Sequence, residues 1–247
     1  MKMNKKGFTL AEVLITLSIL GVVAAISIPN VVQSYKRSVL KTQLKQAYSD
    51  VEQLSRMFTV THNGINMCNY SHPTTPSFSH TYLMNEIANN NYIKIKDGPY
   101  VYVNAFGVSK NKDISTFFTA NYKTLTNHEP GIYMTEQAYF KDSKNRDWFF
   151  KSKKLITIDI NGVEKKPNRW GEDLFTFVVS PETGDVGFHC DYAQCGMCKI
   201  GNVGTGGGTA DTNEYNGLNC TEYALRDVHP TDSSKKYWTD FLNTRKF

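Results

Sequence analysis

The chain has 247 residues, a formal net charge of +5 and a sequence pI near 8.8. That length fits one globular domain with an appendage, or at most two small domains. The basic excess is mild and reads as a solvated surface: contact with nucleic acid or an anionic surface stays open, and nothing in the composition asks for it. The apolar residues are unevenly spread, with a dense block in the first 30 residues and a polar remainder rich in Asn, Thr, Tyr and Lys.

Residues 1–7, MKMNKKG, contain Lys2, Lys5 and Lys6 and end in Gly7. Residues 8–28 follow as an apolar run whose one charge is Glu12. At about 1.5 Å per residue such a run spans roughly 30 Å as a helix, enough to cross a bilayer core. The lysines ahead of it favour a cytoplasmic N-terminus and an exported remainder; Lys36 and Arg37 beyond the span weaken that bias without reversing it. A carboxylate within an apolar span is costly and usually has a partner, and Glu12 has none within its own segment. An ordinary secretory signal cut near Val23, Ala24 and Ala25 would leave Glu12 in a normally uncharged region, and a plain single-span anchor fits the length alone.

The stretch KKGFTLAEVLITLSILGVVAAISIP resembles the class III signal of type IV pilins and type II secretion pseudopilins. The shared pattern is a short basic leader, a Gly, a Phe, a Glu five residues into the mature chain, an apolar run and a following Pro, here Pro29. The resemblance extends over residues 1–60 or so. It implies cleavage after Gly7 by a membrane prepilin peptidase and N-methylation of Phe8. It also implies an assembly role for Glu12, which would pair with the new amine of Phe8 on a neighbouring subunit. The implied partners are the chain itself, other pilins or pseudopilins, an inner-membrane assembly platform and membrane lipid. The implied location is the bacterial inner membrane, single-pass, with the C-terminal domain exported into a pilus or a periplasmic pseudopilus.

Beyond Pro29 the helical pattern resumes. Leu40, Leu44, Ala47, Val51, Leu54 and Phe58 recur at helical spacing on one face, with Lys41, Gln43, Lys45, Asp50 and Glu52 between them. This predicts a helix over residues 8–60, bent near Pro29 and stopped by Asn63-Gly64, its second half laid on a globular domain. A coiled-coil dimer would suit the same spacing, but the stripe is short for one. The chain thus divides into a leader (1–7), a membrane or filament-core helix (8–28), an amphipathic half (29–61) and a globular region (62–247).

In the globular region, residues 92–96, 100–106, 132–140, 155–160 and 174–179 read as strands, with Asp97-Gly98 and Asn161-Gly162 as turns. One long helix followed by antiparallel strands is an α+β fold with the sheet packed on the helix. The stretch IDINGVEKKPNRWGEDLFTF, residues 158–177, is strand, turn-rich loop, strand; it resembles a D-x-N-G…P-N-x-x-G-x-D-x-F stretch of pilin-like proteins with large C-terminal domains, with one extra residue before Pro167. Asp159, Asn161, Asn168 and Asp173 are the calcium candidates, since hard oxygen donors suit that ion; the same residue types are ordinary in turns.

Residues 187–220 are rich in Gly and Cys and read as loop. Cys68, Cys190, Cys195, Cys198 and Cys220 predict disulfides in an exported chain, with the pairing open. A zinc site of His189, Cys190, Cys195 and Cys198, or redox use of Cys195-x-x-Cys198, are the alternatives. The glycines of residues 205–209 form no phosphate cradle, and no catalytic constellation is recognisable; the six histidines lie in polar stretches. The expected function is a structural filament subunit, not an enzyme, with no resident cofactor unless calcium binds. A minor subunit that caps the filament and touches DNA, a surface or an exported substrate is the alternative.

Overall fold

The computed structural model describes residues 9–70, 79–101, 114–130, 138–150, 155–188, 198 and 215–243. The chain falls into two units, Met1–Val39 and Leu40–Phe247. Helix α1 (Leu10–Thr61) is continuous through Pro29. Its end is where the sequence places it: Asn63 and Gly64 both adopt left-handed backbone (φ 54° and 87°), and the Gly64 N–H closes back on the Thr59 carbonyl. A C-terminal Gly supplies that conformation without a Cβ penalty.

Within the larger unit the second half of α1 lies on a sheet. Six strands run β1 (Ile95–Val101), β2 (Ala138–Asp142), β3 (Asp147–Phe150), β4 (Leu155–Asp159), β5 (Leu174–Val179) and β6 (Val186–Gly187), each antiparallel to the next and in sequence order. Strand alternation sorts their side chains onto two faces, and both faces are covered. Phe140, Trp148, Phe150, Ile156, Ile158, Phe175 and Phe177 form one core with Leu44, Ala47, Val51, Leu54 and Phe58 of α1. The expected stripe is therefore the buried face, at about 1.5–3 kcal/mol per large side chain removed from water. Tyr139, Phe149, Leu155 and Leu174 face the other way and pack with Ile114, Phe118, Tyr122, Trp170 and Leu218. This second core is organised by helix α3 (Ile114–Asn121) and by the chain between β4 and β5. Helix α2 (Ser79–Asn89) places Leu83, Met84 and Ile87 in the first core.

The α+β architecture is as expected, and β4 and β5 fall where read. Several elements differ. Residues 92–96 and 100–106 were expected as two strands about an Asp97-Gly98 turn. Instead β1 runs through that dipeptide, with register shifts on both sides and Gly98 at φ 111°, so the signal is a bulge rather than a hairpin. Residues 102–106 and 132–137 of the expected strands lie outside the described residues. Helices α2 and α3 and strands β3 and β6 had no expected counterpart. Near the C-terminus a 3₁₀ turn (Leu218–Cys220) leads into α4 (Thr221–Arg226). A π turn (Tyr237–Phe241) then returns Tyr237, Trp238 and Phe241 to the first core, where the Trp238 indole donates to the Ala224 carbonyl at 2.8 Å.

Candidate functional site

The N-terminal half of α1 is apolar on every side and exposed: Leu10, Leu14, Leu17, Leu20, Val22, Ile26 and Val31 all face outward. It is long and apolar enough to cross a membrane. Its polar side chains bond to its own backbone, Thr16 Oγ1 donating to the Val13 carbonyl (2.9 Å) and Ser18 Oγ to the Leu14 carbonyl (2.8 Å). This arrangement satisfies those two hydroxyls within an apolar surround.

Glu12 is not without a local partner, as the sequence reading supposed. The Thr9 N–H (2.7 Å) and Thr9 hydroxyl (2.8 Å) both donate to Glu12 Oε2, and the Glu12 N–H reaches Thr9 Oγ1 at 3.3 Å. Thr9-x-x-Glu12 is a capping box, a signal legible in the sequence as a Thr followed three residues later by a Glu at the head of an apolar run. Gly7 and Phe8, the expected processing residues, lie outside the described residues.

The four calcium candidates converge. Asp159 ends β4 and Asp173 precedes β5, and the Ile160 N–H donates to the Asp173 carbonyl. Between them the loop folds on its own carboxylates. Asp159 Oδ1 accepts from the N–H groups of Asn161 (3.1 Å) and Gly162 (2.9 Å), and Oδ2 accepts from the Tyr122 hydroxyl (3.0 Å). Asp173 accepts from the N–H groups of Asn168 (2.8 Å) and Arg169 (2.6 Å). The Asn161 carboxamide lies against the Asp173 carboxylate, and Asn168 Nδ2 donates to the Val163 carbonyl at 2.8 Å.

Both carboxylates are completely buried. Among the described residues neither has an ion-pair partner. Burial above all, with the nearby charges of Asp173 and Asp147, pushes Asp159 well above the usual carboxylate range. Burial pushes Asp173 up to about 7 against the opposing pull of its backbone donors. Asp147 sits directly across the ladder from Asp159 but is served differently, by Lys141 Nζ (3.1 Å), the Tyr139 hydroxyl (2.7 Å) and the Val163 N–H (2.8 Å). The side-chain oxygens of Asn161 and Asn168 are buried with no hydrogen-bond donor. Among the described residues no three of His, Cys, Asp and Glu gather as a metal site, so the cluster is two carboxylates with two carboxamides.

Cys198 and Cys220 form a disulfide across 22 residues, one of the expected pairings. Cys198 is thereby removed from the zinc alternative, since a bridged sulfur is not a thiolate ligand. Cys190, Cys195 and His189 lie outside the described residues. Cys68 lies beside β5, its Sγ 3.2 Å from the Val179 carbonyl. The histidines are not uniformly superficial: His62 stacks on Phe58 with ring centroids 4.0 Å apart.

Residues 2–28 match the prokaryotic N-terminal methylation motif. This class III signal is the hallmark of type IV pilins and pseudopilins, and with the exposed apolar helix behind it the chain is pilin-like at its N-terminus. The motif implies processing by a prepilin peptidase and assembly with other pilin subunits. No curated protein and no solved structure matches the chain.

Proposed function

We propose that this chain is a filament subunit of the type IV pilus or type II secretion class. It is cleaved after Gly7, methylated on Phe8, held in the inner membrane by the first half of α1, and assembled with its neighbours through that same half. The observation that carries the reading is one helix with two environments. Residues 10–32 present apolar side chains on all sides, while Leu40 to Phe58 are buried against a domain of their own. A lone chain in water would not leave so much apolar surface uncovered; lipid covers it in storage, and copies of the same helix cover it in a filament. The Asn-, Thr- and Lys-rich remainder and the Cys198–Cys220 disulfide suit an exported domain.

Intact mass of membrane-extracted protein tests the processing step. The expected mature chain begins at Phe8 with one added methyl group. A chain beginning near Ile26 would instead mark a secreted protein with an ordinary signal. A second reading, a minor subunit at the filament tip, draws on the size of the exported part, a six-stranded sheet buried on both faces. Its abundance in sheared filaments separates the two.

A further inference from the structure

We propose that the loop between β4 and β5 is a calcium site, with the cation held by the carboxylates of Asp159 and Asp173 and the side-chain oxygens of Asn161 and Asn168. Two observations point there independently. The first is charge: two neighbouring carboxylates are completely buried, and among the described residues no Lys, Arg or His pairs with either, whereas the adjacent Asp147 has Lys141. Buried charge without a counter-charge is strongly disfavoured.

The second is the pair of carboxamide oxygens. Asn168 is 1% exposed and Asn161 9% exposed, and the Oδ1 of each is buried without a donor. A proton shared between Asp159 and Asp173 would relieve the charge, but one proton cannot serve two carboxamide oxygens as well. Exchanging O and N of Asn168 would forfeit its bond to the Val163 carbonyl. A cation answers both needs at once.

The donor set selects the ion. Two carboxylates and two amide oxygens are hard ligands, without nitrogen or sulfur. A carboxylate offers about four lone-pair sites; Asp173 has committed two to the Asn168 and Arg169 N–H groups and a third to the Asn161 carboxamide, so it keeps capacity for one bond to a metal. Calcium tolerates irregular oxygen cages of this kind, whereas magnesium demands near-octahedral geometry and retains its waters. The site also lies where a cation would tie the ends of β4 and β5 to the loop between them. The inference does not rest on the filament reading, and its failure would leave that reading untouched.

The test uses the full-length chain in detergent. Terbium, a calcium surrogate, should luminesce through Tyr122, whose hydroxyl is 3.0 Å from Asp159, and through Trp170 in the same loop; added calcium should quench that signal by displacement. The melting temperature should rise by about 5 °C or more when EGTA is replaced by calcium at about 100 times its Kd. Asp173→Asn should raise the calcium midpoint at least tenfold, read by terbium displacement on the folded variant because the amide also gives up one acceptor for the Asn168 or Arg169 N–H, and Asn168→Ala should weaken binding without removing a charge. Equal melting temperatures for wild type in calcium and in EGTA, with no sensitised terbium emission, would overturn the proposal; that comparison needs no variant to fold. A calcium response undiminished in Asp173→Asn would overturn it as well.

Discussion

Arg146 shows how much a single side chain organises at the junction of helix and sheet. Its Nε donates to Asp142 Oδ2 at 2.7 Å and its Nη2 to Asp50 Oδ2 of α1 at 2.6 Å, while the Trp148 indole N–H also reaches Asp142 at 2.9 Å. The Arg146 and Asp142 side chains are 5% and 2% exposed, so neither charge has recourse to water. Removing one partner of such a pair strands the other, and Arg146→Ala should cost about 3–5 kcal/mol. Lys144 also reaches Asp50, at 2.7 Å, but its side chain is 44% exposed. Lys144→Ala should cost no more than about 1 kcal/mol. Urea unfolding of both variants measures the contrast, and equal costs would mean that burial is not what distinguishes the two contacts. Nothing in the sequence marks this cluster, because Asp50 lies on a helix about a hundred residues from its partners.

At the scale of elements, legibility followed the length and purity of the pattern. The stripe on α1 and the strands β4 and β5 were readable because Leu, Ile, Val and Phe recur there without interruption. Strand β3, Asp147–Phe150, is only four residues long, begins with an acid and is buried on both faces, so it shows no alternation to detect. Helix α3, Ile114–Asn121, is built from Ile, Thr and Phe, which locally favour strands; packing of Ile114 and Phe118 on the sheet overrides that preference. The calcium candidates were readable as a spacing of Asp and Asn. Tyr122, Asp147 and Lys141 were not, since other elements bring them in. The two halves of α1 should answer differently to the same substitution. Leu54→Ala, in the core, should cost about 2–5 kcal/mol, whereas Leu20→Ala, exposed in the isolated chain, should change stability by no more than about 0.5 kcal/mol. Thermal melts in detergent compare them, and a large loss for Leu20→Ala would place that residue in a packed interior of the single chain.

For the molecule as the assembling unit proposed above, the group whose role can be tested most directly is the one acid in the apolar half of α1. Alone, Glu12 caps its own helix, and both Thr9 bonds fall on the same oxygen, Oε2. Among the described residues Oε1 takes no hydrogen bond, so capping and an intermolecular ion pair do not exclude each other: the amine of a neighbour's Phe8 can approach Oε1 while Thr9 holds the carboxylate in place. An apolar bundle, with its low dielectric, strengthens that attraction and favours the axial stagger that satisfies it. Capping and charge are separable by substitution. Glu12→Gln keeps a side-chain oxygen for Thr9 but carries no charge, and Glu12→Leu loses both. Both variants should be synthesised, inserted and processed normally, since neither alters the basic leader or the apolar run. Both should enter filaments at least tenfold less than wild type when co-expressed with it, as measured by the ratio of processed protein in sheared filaments to that in membranes. Normal incorporation of Glu12→Gln beside a failure of Glu12→Leu would assign Glu12 to helix capping alone. Normal incorporation of both would leave the first half of α1 a membrane anchor, with no part for Glu12 in setting how subunits stack.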